Sequence, residues 1–358
     1  MAERNETVNT RIEYLDLLRI LATFFVIVIH VSIQGWSDTD TSSFAWKSMN
    51  TWNSLARWSV PVFIMISGTL FLDPKRKIGL GKLYRKNIWR VLKAFFFWSL
   101  LYAIFHMVVN GWSFHTFVVS IFTGYYHEWF ILMIVGLYLI VPVMRKITAS
   151  TQATLYFIVL AFVFGFLIPS IRDQIIPYST LLSGSDIISA LDADFESMSI
   201  TFVAGYTGYF ALGYYLKKVR ISANGRLVIY ILGMIGFILT VIPTAYISGN
   251  LGKPVNSYYA FISVNVFFMS MAVYVLFKYL RINYSEKILA LKKKIADNCF
   301  GIFLVHLFII EILELIGFDS LTFAPAVSIP LISLATFVVG YYIVEGLRRI
   351  KFIERNFI

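Results

Sequence analysis

Runs of about twenty apolar residues recur from one end of the 358-residue chain to the other. Hydrocarbon offers no water to the backbone N–H and C=O groups, so such runs cross a bilayer as helices. The expected spans are 14–35, 50–72, 87–109, 127–146, 152–170, 199–217, 226–247, 257–279, 297–316 and 326–347. Composition agrees: 58% of residues are hydrophobic and 14% charged, where a soluble domain carries about 25% charged residues. The expected fold is an all-α, polytopic membrane bundle of about ten transmembrane helices. Residues 1–358 read as one integral membrane unit with no separate soluble domain.

Charge sets the orientation. Most of the 31 Lys and Arg residues fall on one side if the N-terminus is cytoplasmic. That side holds Arg4 and Arg11, seven basic residues in 73–90, Arg145 and Lys146, the 217–226 group, the 278–294 loop and the tail after 347. The opposite loops carry Asp38, Asp40, Asp173, Asp186, Asp192, Asp194 and Glu196. Both termini are therefore expected to be cytoplasmic. The net charge of +11 sits in short loops between spans, a pattern of membrane topology that argues against nucleic acid as a partner. The first span has a basic flank but a long apolar region and no small-residue cleavage site, so it reads as a retained helix. The outer loop at about 171–198 is acidic and polar. Cys299 is the single cysteine, which excludes an intramolecular disulfide and a cysteine metal cluster. No metal-ligand set, Walker pattern or Rossmann fingerprint is present.

Ionisable residues inside spans are costly and mark function. The first span, DLLRILATFFVIVIH, contains three. Arg19 and His30 are eleven residues apart, about three helical turns, so they share a face with an axial separation of about 16 Å. Asp16 lies three residues before Arg19, within pairing range. One polar seam runs from the cytoplasmic end toward the outer half. Asp16 and Arg19 either form an ion pair that fixes the helix near the headgroups or belong to the working seam. His30 lies past the midplane and can serve as acid or base near neutral pH. In the second span, Pro61 should kink the helix. Arg57 there is a candidate partner for a carboxylate, an oxyanion or a glycan hydroxyl, or for Glu128. Ser67 and Gly68 suit close helix contact. The fourth span opens YYHEWF and places His127 and Glu128 at the outer mouth, where water can reach them. His306 lies near mid-membrane in the ninth span, as a satisfied core histidine or an accessory group. The inner loop KRKIGLGKLYRKNIWR brings Lys82, Arg85, Lys86 and Arg90 to the membrane together. It serves topology and anionic lipid, or a phosphate site for a cytosolic cofactor.

These residues resemble the acyltransferase-3 family of integral membrane O-acyltransferases over nearly the whole chain. The resemblance rests on LDLLR leading into Arg19, ten residues, then His30; on VPVFIMISGTLFL at 60–72; on HEWFILMIVGLYLIVPV at 127–143; and on GIFLVHL at 301–307. Two features depart from the family. It often has two arginines three residues apart after the second span; here the later fits Arg90 and the earlier position is Asn87, beside Lys86. The esterase-like domain appended in some members is absent from the chain.

The resemblance implies transfer of an acyl group, usually acetyl, from acyl-CoA to a hydroxyl on an extracytoplasmic glycan or cell-envelope polymer, in a multi-pass protein of the bacterial inner or plasma membrane. On that reading His30 is the general base, while Asp16 and Arg19 organise the lower seam. Lys82, Arg85, Lys86 and Arg90 receive the phosphates of acetyl-CoA, which needs no metal. Arg57, Ser67, Glu128 and His127 line the acceptor or oxyanion side, with Arg57 the first candidate for the oxyanion. The expected partners are acyl-CoA, the polymer acceptor and the bilayer; homo-oligomerisation stays open. A transporter or exporter of a glycan or small polar solute is the competing reading, and it would favour broken helices repeated in two halves.

Overall fold

A computed structural model describes residues 11–75, 79–179 and 200–358. Arg4, Arg76 and Lys77, and the loop residues Asp186, Asp192, Asp194 and Glu196, lie outside the described residues.

The first apolar run forms helix α1 (Glu13–Ser32). It is apolar around most of its circumference, and a helix of that kind belongs inside a bundle. Accordingly, 61% of its apolar window is buried, and it packs against five other helices. These are α2 (Phe44–Ala56), α3 (Ser59–Phe71), α11 (Val264–Tyr279), α12 (Glu286–Leu315) and α13 (Pro325–Arg348). By contrast α10 (Ala223–Leu251) has only 22% of its window buried and presents Leu227, Ile231, Met234 and Ile238 outward, as a lipid-facing helix does. Between α1 and α2, Asp40 accepts hydrogen bonds from the backbone N–H and hydroxyl of Ser42, at 2.9 and 2.8 Å. These bonds hold its carboxyl below the usual carboxylate range.

The second expected span is two helices in series. α2 begins at Ser43, whose side chain accepts from the Trp46 N–H, and ends at Arg57; α3 restarts after Trp58. Pro61 lies in the first turn of α3 and has no N–H for the carbonyl of Arg57, so the helix breaks there. Further along, α3 meets α9 (Ile200–Lys218) backbone to backbone. A Cβ on Gly68 would lie 1.8 Å from the Phe210 carbonyl oxygen, and one on Gly213 would lie 2.0 Å from that of Met65. Only glycine at both positions permits this approach. Thr69 Oγ1, 3.0 Å from the Gly213 carbonyl and 2.7 Å from the Tyr274 hydroxyl, fastens the contact to α11.

Helix α4 (Leu80–Asn110) opens with Leu80–Lys82 and widens into a π-helical stretch at Leu83–Ile88. α5 (Phe114–Thr123) packs against α4, and α6 (Trp129–Leu139) and α7 (Val141–Thr148) follow with a 57° bend between them. Pro142 in the first turn of α7 cannot supply the N–H that would continue α6. α8 begins at Thr151–Leu160, widens into a π-helix over Ala161–Leu167 and continues as Ile168–Ser179. α9 fills the sixth expected span with a break at Gly205. After α13, a short helix α14 (Lys351–Asn356) folds back on α4: Trp98 Nε1 donates to the Phe357 carbonyl at 3.1 Å, and Phe97 stacks on Phe357.

Each of the ten expected spans coincides with helix. Among the described residues eight helices are long and apolar enough to cross a membrane, and the bent α6–α7 pair makes a ninth. The protein is all-helical and has the character of a multi-pass membrane protein.

Candidate active site

Two of the cavities among the described residues hold the charged and histidine side chains of the seam. The larger, about 430 Å³, faces the basic loop and is lined by Arg19, Ser67, Lys86, Asn87, Arg90 and Tyr138, among others. The smaller, about 200 Å³, is lined by His30, Arg57, Tyr126, His127 and several apolar side chains. Phe63, Phe130 and Phe303 border both. The polar seam expected on α1 thus divides between two chambers, Arg19 in one and His30 in the other.

Three segments of the bundle bring three histidines together; His30 and His127 line the smaller chamber, and His306 packs behind them. His30 comes from the last turn of α1, His127 from the turn before α6, and His306 from the middle of α12. The His30 and His306 ring centroids are 5.1 Å apart, His127 and His306 5.2 Å, and His30 and His127 6.5 Å. Tyr126 stands edge-on to His30 at 5.4 Å. His306 Nδ1 lies 2.6 Å from the Phe303 carbonyl oxygen. A carbonyl only accepts, so this nitrogen carries hydrogen, and in the neutral ring Nε2 keeps its lone pair. Nδ1 of His30, both ring nitrogens of His127 and Nε2 of His306 are buried without a hydrogen-bond partner among the described residues. Buried polar groups are normally satisfied, and unsatisfied ones concentrate where a site awaits a reacting group.

Arg57, at the C-terminal cap of α2, faces the same chamber. Its Nε donates to Asn53 Oδ1 at 2.7 Å, its Nη2 donates to the same oxygen, and its Nη1 donates to the Tyr259 carbonyl at 3.2 Å. The guanidinium lies over the Tyr259 ring at 4.4 Å and the Phe261 ring at 5.3 Å. All these contacts are to neutral groups, so the charge has no carboxylate counterpart among the described residues. Asn53 also donates to Ser32 Oγ at 2.7 Å and to the Ile29 carbonyl at 3.4 Å. The residue that holds Arg57 therefore grips the same turn of α1 that carries His30.

The expected alternative of an Arg57–Glu128 pair is not formed. Glu128 Oε2 instead accepts from Ser99 Oγ at 3.0 Å and from the Tyr125 N–H at 2.6 Å. Gly124, with φ of 74°, makes the turn that aims that N–H at the carboxylate. His127 and Glu128 were expected at a wet outer mouth, yet they are 2% and 0% exposed. The loop folds inward because Tyr125 stacks on Tyr102 at 4.6 Å and donates its hydroxyl to Glu311.

The remaining candidates separate. Lys86 and Arg90 line the larger chamber, whereas Lys82 and Arg85 are exposed and line neither. Asn87, which stands where the resemblance leads one to look for an arginine, lines the chamber beside Arg90. Arg90 also donates to the Ile358 carbonyl. Ser67 sits in the larger chamber, apart from His30 and Arg57. Asp16 is buried but lines neither chamber. Its close partner is Arg11 at 2.5 Å, which also meets Asp297 at 2.9 Å, while Arg19 lies 3.7 Å away. Asp16 therefore ties the base of α1 toward α12. Among the described residues no three His, Cys, Asp or Glu side chains are placed to hold a metal ion.

Three parts of the site escaped sequence reading. Asn53 had a readable signal, since Asn50, Asn53 and Arg57 recur at helical spacing on α2. Glu311 had none; the three phenylalanines lie within the segments at 60–72, 127–143 and 301–307, but a phenylalanine at a boundary between cavities reads in sequence like one in lipid.

A family model described as an acyltransferase domain matches residues 12–345. No curated protein and no solved structure matches the chain.

Proposed function

The chain belongs to the acyltransferase domain family, and on that premise we propose that it moves a short acyl group, acetyl above all, from cytosolic acyl-CoA to a hydroxyl of an extracytoplasmic glycan or cell-envelope polymer. One observation carries this reading. A histidine suited to be a base and a guanidinium with no carboxylate line one chamber, and that chamber adjoins a second that contains Arg19, Lys86 and Arg90.

CoA approaches from the basic side. Lys86 and Arg90 receive its phosphates with Asn87 as a neutral neighbour, and the exposed Lys82 and Arg85 draw the anion in from solution. The pantetheine arm runs along Arg19 through the larger chamber and delivers the thioester to the three phenylalanines. The acceptor enters the smaller chamber from the opposite side.

In the reaction the acceptor oxygen attacks the thioester carbonyl carbon as His30 takes the hydroxyl proton. General-base help of this kind contributes roughly 10²–10⁴-fold. The carbonyl π electrons move onto oxygen, and Arg57 stabilises that oxyanion. Its charge is available because Asn53 and the Tyr259 carbonyl hold it without neutralising it. The intermediate then collapses: the C–S bond breaks, the thiolate leaves, and His30 returns its proton to sulfur. The product is an ester and free CoA. His306 packs against the His30 ring at 5.1 Å, with its own Nε2 lone pair unpartnered, and so fixes the orientation of the base by ring contact.

The test uses membranes that carry the protein and its native polymer. Acetyl-CoA should release free thiol there and the polymer should gain acetyl ester. Membranes with His30→Ala at equal protein level should do neither. Equal thiol release by the variant would remove His30 from the mechanism.

A further inference from the structure

The acyl-transfer reading leaves one geometric question open, and it lies at the boundary between the chambers. The residues placed for CoA are on one side and His30 and Arg57 on the other. The thioester must meet His30, so the acyl end of the donor has to reach or cross the shared boundary. That boundary consists of Phe63 from α3, Phe130 from α6 and Phe303 from α12, the three residues that line both cavities. Their rings contact one another: Phe63 and Phe130 lie 6.1 Å apart, and Phe130 and Phe303 5.4 Å. Phe303 is also 5.3 Å from the His127 ring and 5.7 Å from that of His306, and its carbonyl is the acceptor for His306 Nδ1. The boundary is thus built into the underside of the histidine cluster.

We infer that Phe63, Phe130 and Phe303 form the aperture that selects the length of the acyl chain. This deepens the acyl-transfer reading and rests on it. With the thioester carbon at the level of His30, the arm occupies the gap between the rings, and the acyl tail must fit beside them. The chamber beyond is only about 200 Å³ and must also admit the acceptor hydroxyl. Aromatic rings that touch each other are close-packed and give way poorly to extra methylenes. One methylene in an apolar pocket discriminates roughly 10- to 200-fold. An acetyl group adds a single methyl beyond the carbonyl, whereas a butyryl group adds two methylenes more, for which the rings and the small chamber beyond them leave no room once the arm fills the gap.

The test compares acetyl-, butyryl- and hexanoyl-CoA as donors to membranes that hold the full-length protein and its native polymer, with release of CoA thiol as readout. The wild type should prefer acetyl. Phe303→Leu, Phe63→Ala and Phe130→Ala should each raise the butyryl-to-acetyl rate ratio by about tenfold or more. Free CoA should still stabilise the purified variants against heat, because Lys86 and Arg90, which receive its phosphates, are untouched. Phe303 is the most buried of the three; if its variant fails to insert, the half-buried Phe63 and Phe130 decide the matter. An unchanged ratio in folded variants at these positions overturns the aperture and leaves acyl transfer standing. A wild type that releases no thiol from any acyl-CoA overturns acyl transfer, and the aperture with it.

Discussion

Asn53→Asp tests whether the bare charge of Arg57 matters. Aspartate is nearly isosteric with asparagine and keeps an oxygen where Asn53 Oδ1 now accepts from Arg57 Nε at 2.7 Å. Two things change. The guanidinium gains a carboxylate counterpart, and the amide donor to Ser32 Oγ and the Ile29 carbonyl is lost. At a charge separation of about 4 Å and an effective dielectric near 20, the new pair interacts by about 4 kcal/mol. An oxyanion donor is worth roughly 2.7–4 kcal/mol, or 10²–10³-fold in kcat. Neutralising Arg57 should therefore cancel most of its help to the oxyanion, and kcat should fall by about 10²-fold. KM for acetyl-CoA should hold, since Asn53 and Arg57 lie outside the larger chamber. The assay is thiol release against acetyl-CoA concentration, with thermal unfolding of the purified variant as the folding control. Asn53→Leu removes both the amide donor and the Oδ1 acceptor without adding a charge, and so reads the cost of losing the Asn53 contacts alone. A folded Asn53→Asp protein with kcat within about threefold of wild type would refute the oxyanion role of Arg57.

Three further outcomes follow from the same geometry. His306→Leu removes the ring that packs against His30 and should lower kcat by about tenfold or more at unchanged KM for acyl-CoA. Lys86→Glu should weaken stabilisation by free CoA by about tenfold in concentration, and Arg85→Glu should do so less, because only Lys86 lines the larger chamber; heat unfolding at graded CoA concentrations measures both. Gly68→Leu puts side-chain atoms where the Phe210 carbonyl now stands and should destabilise the protein by about 3 kcal/mol or more, read as lost resistance to heat and protease in detergent.

The helices were legible because hydrocarbon allows a long apolar run one structure, and the expected spans match the helices to within a few residues at many of their ends. Their breaks were legible in part. Pro61 marked the Arg57–Trp58 interruption, while Pro142 carried the same signal for the 57° bend and was passed over. Helical arithmetic placed Arg19 and His30 on one face, yet a single helix cannot reveal that ring-bordered chambers divide that face. The histidine cluster illustrates the limit. His30, His127 and His306 lie on three elements whose packing depends on α1 being central, which is a property of the whole bundle. His127 and Glu128 looked wet because they stand at a helix start, and only the stacking of Tyr125 on Tyr102 shows that the loop turns inward. Ser67 and Gly68 read as helix contact residues; Gly68 is one, and Ser67 lies instead in the larger chamber.

Mass spectrometry of the envelope glycans tests the central claim most directly. Cells with the wild-type protein should yield glycans that carry an acetyl mass increment, removable by mild alkali as an ester. Cells with His30→Ala at the same membrane abundance should yield glycans without it. The same increment in both would contradict acyl transfer by way of His30.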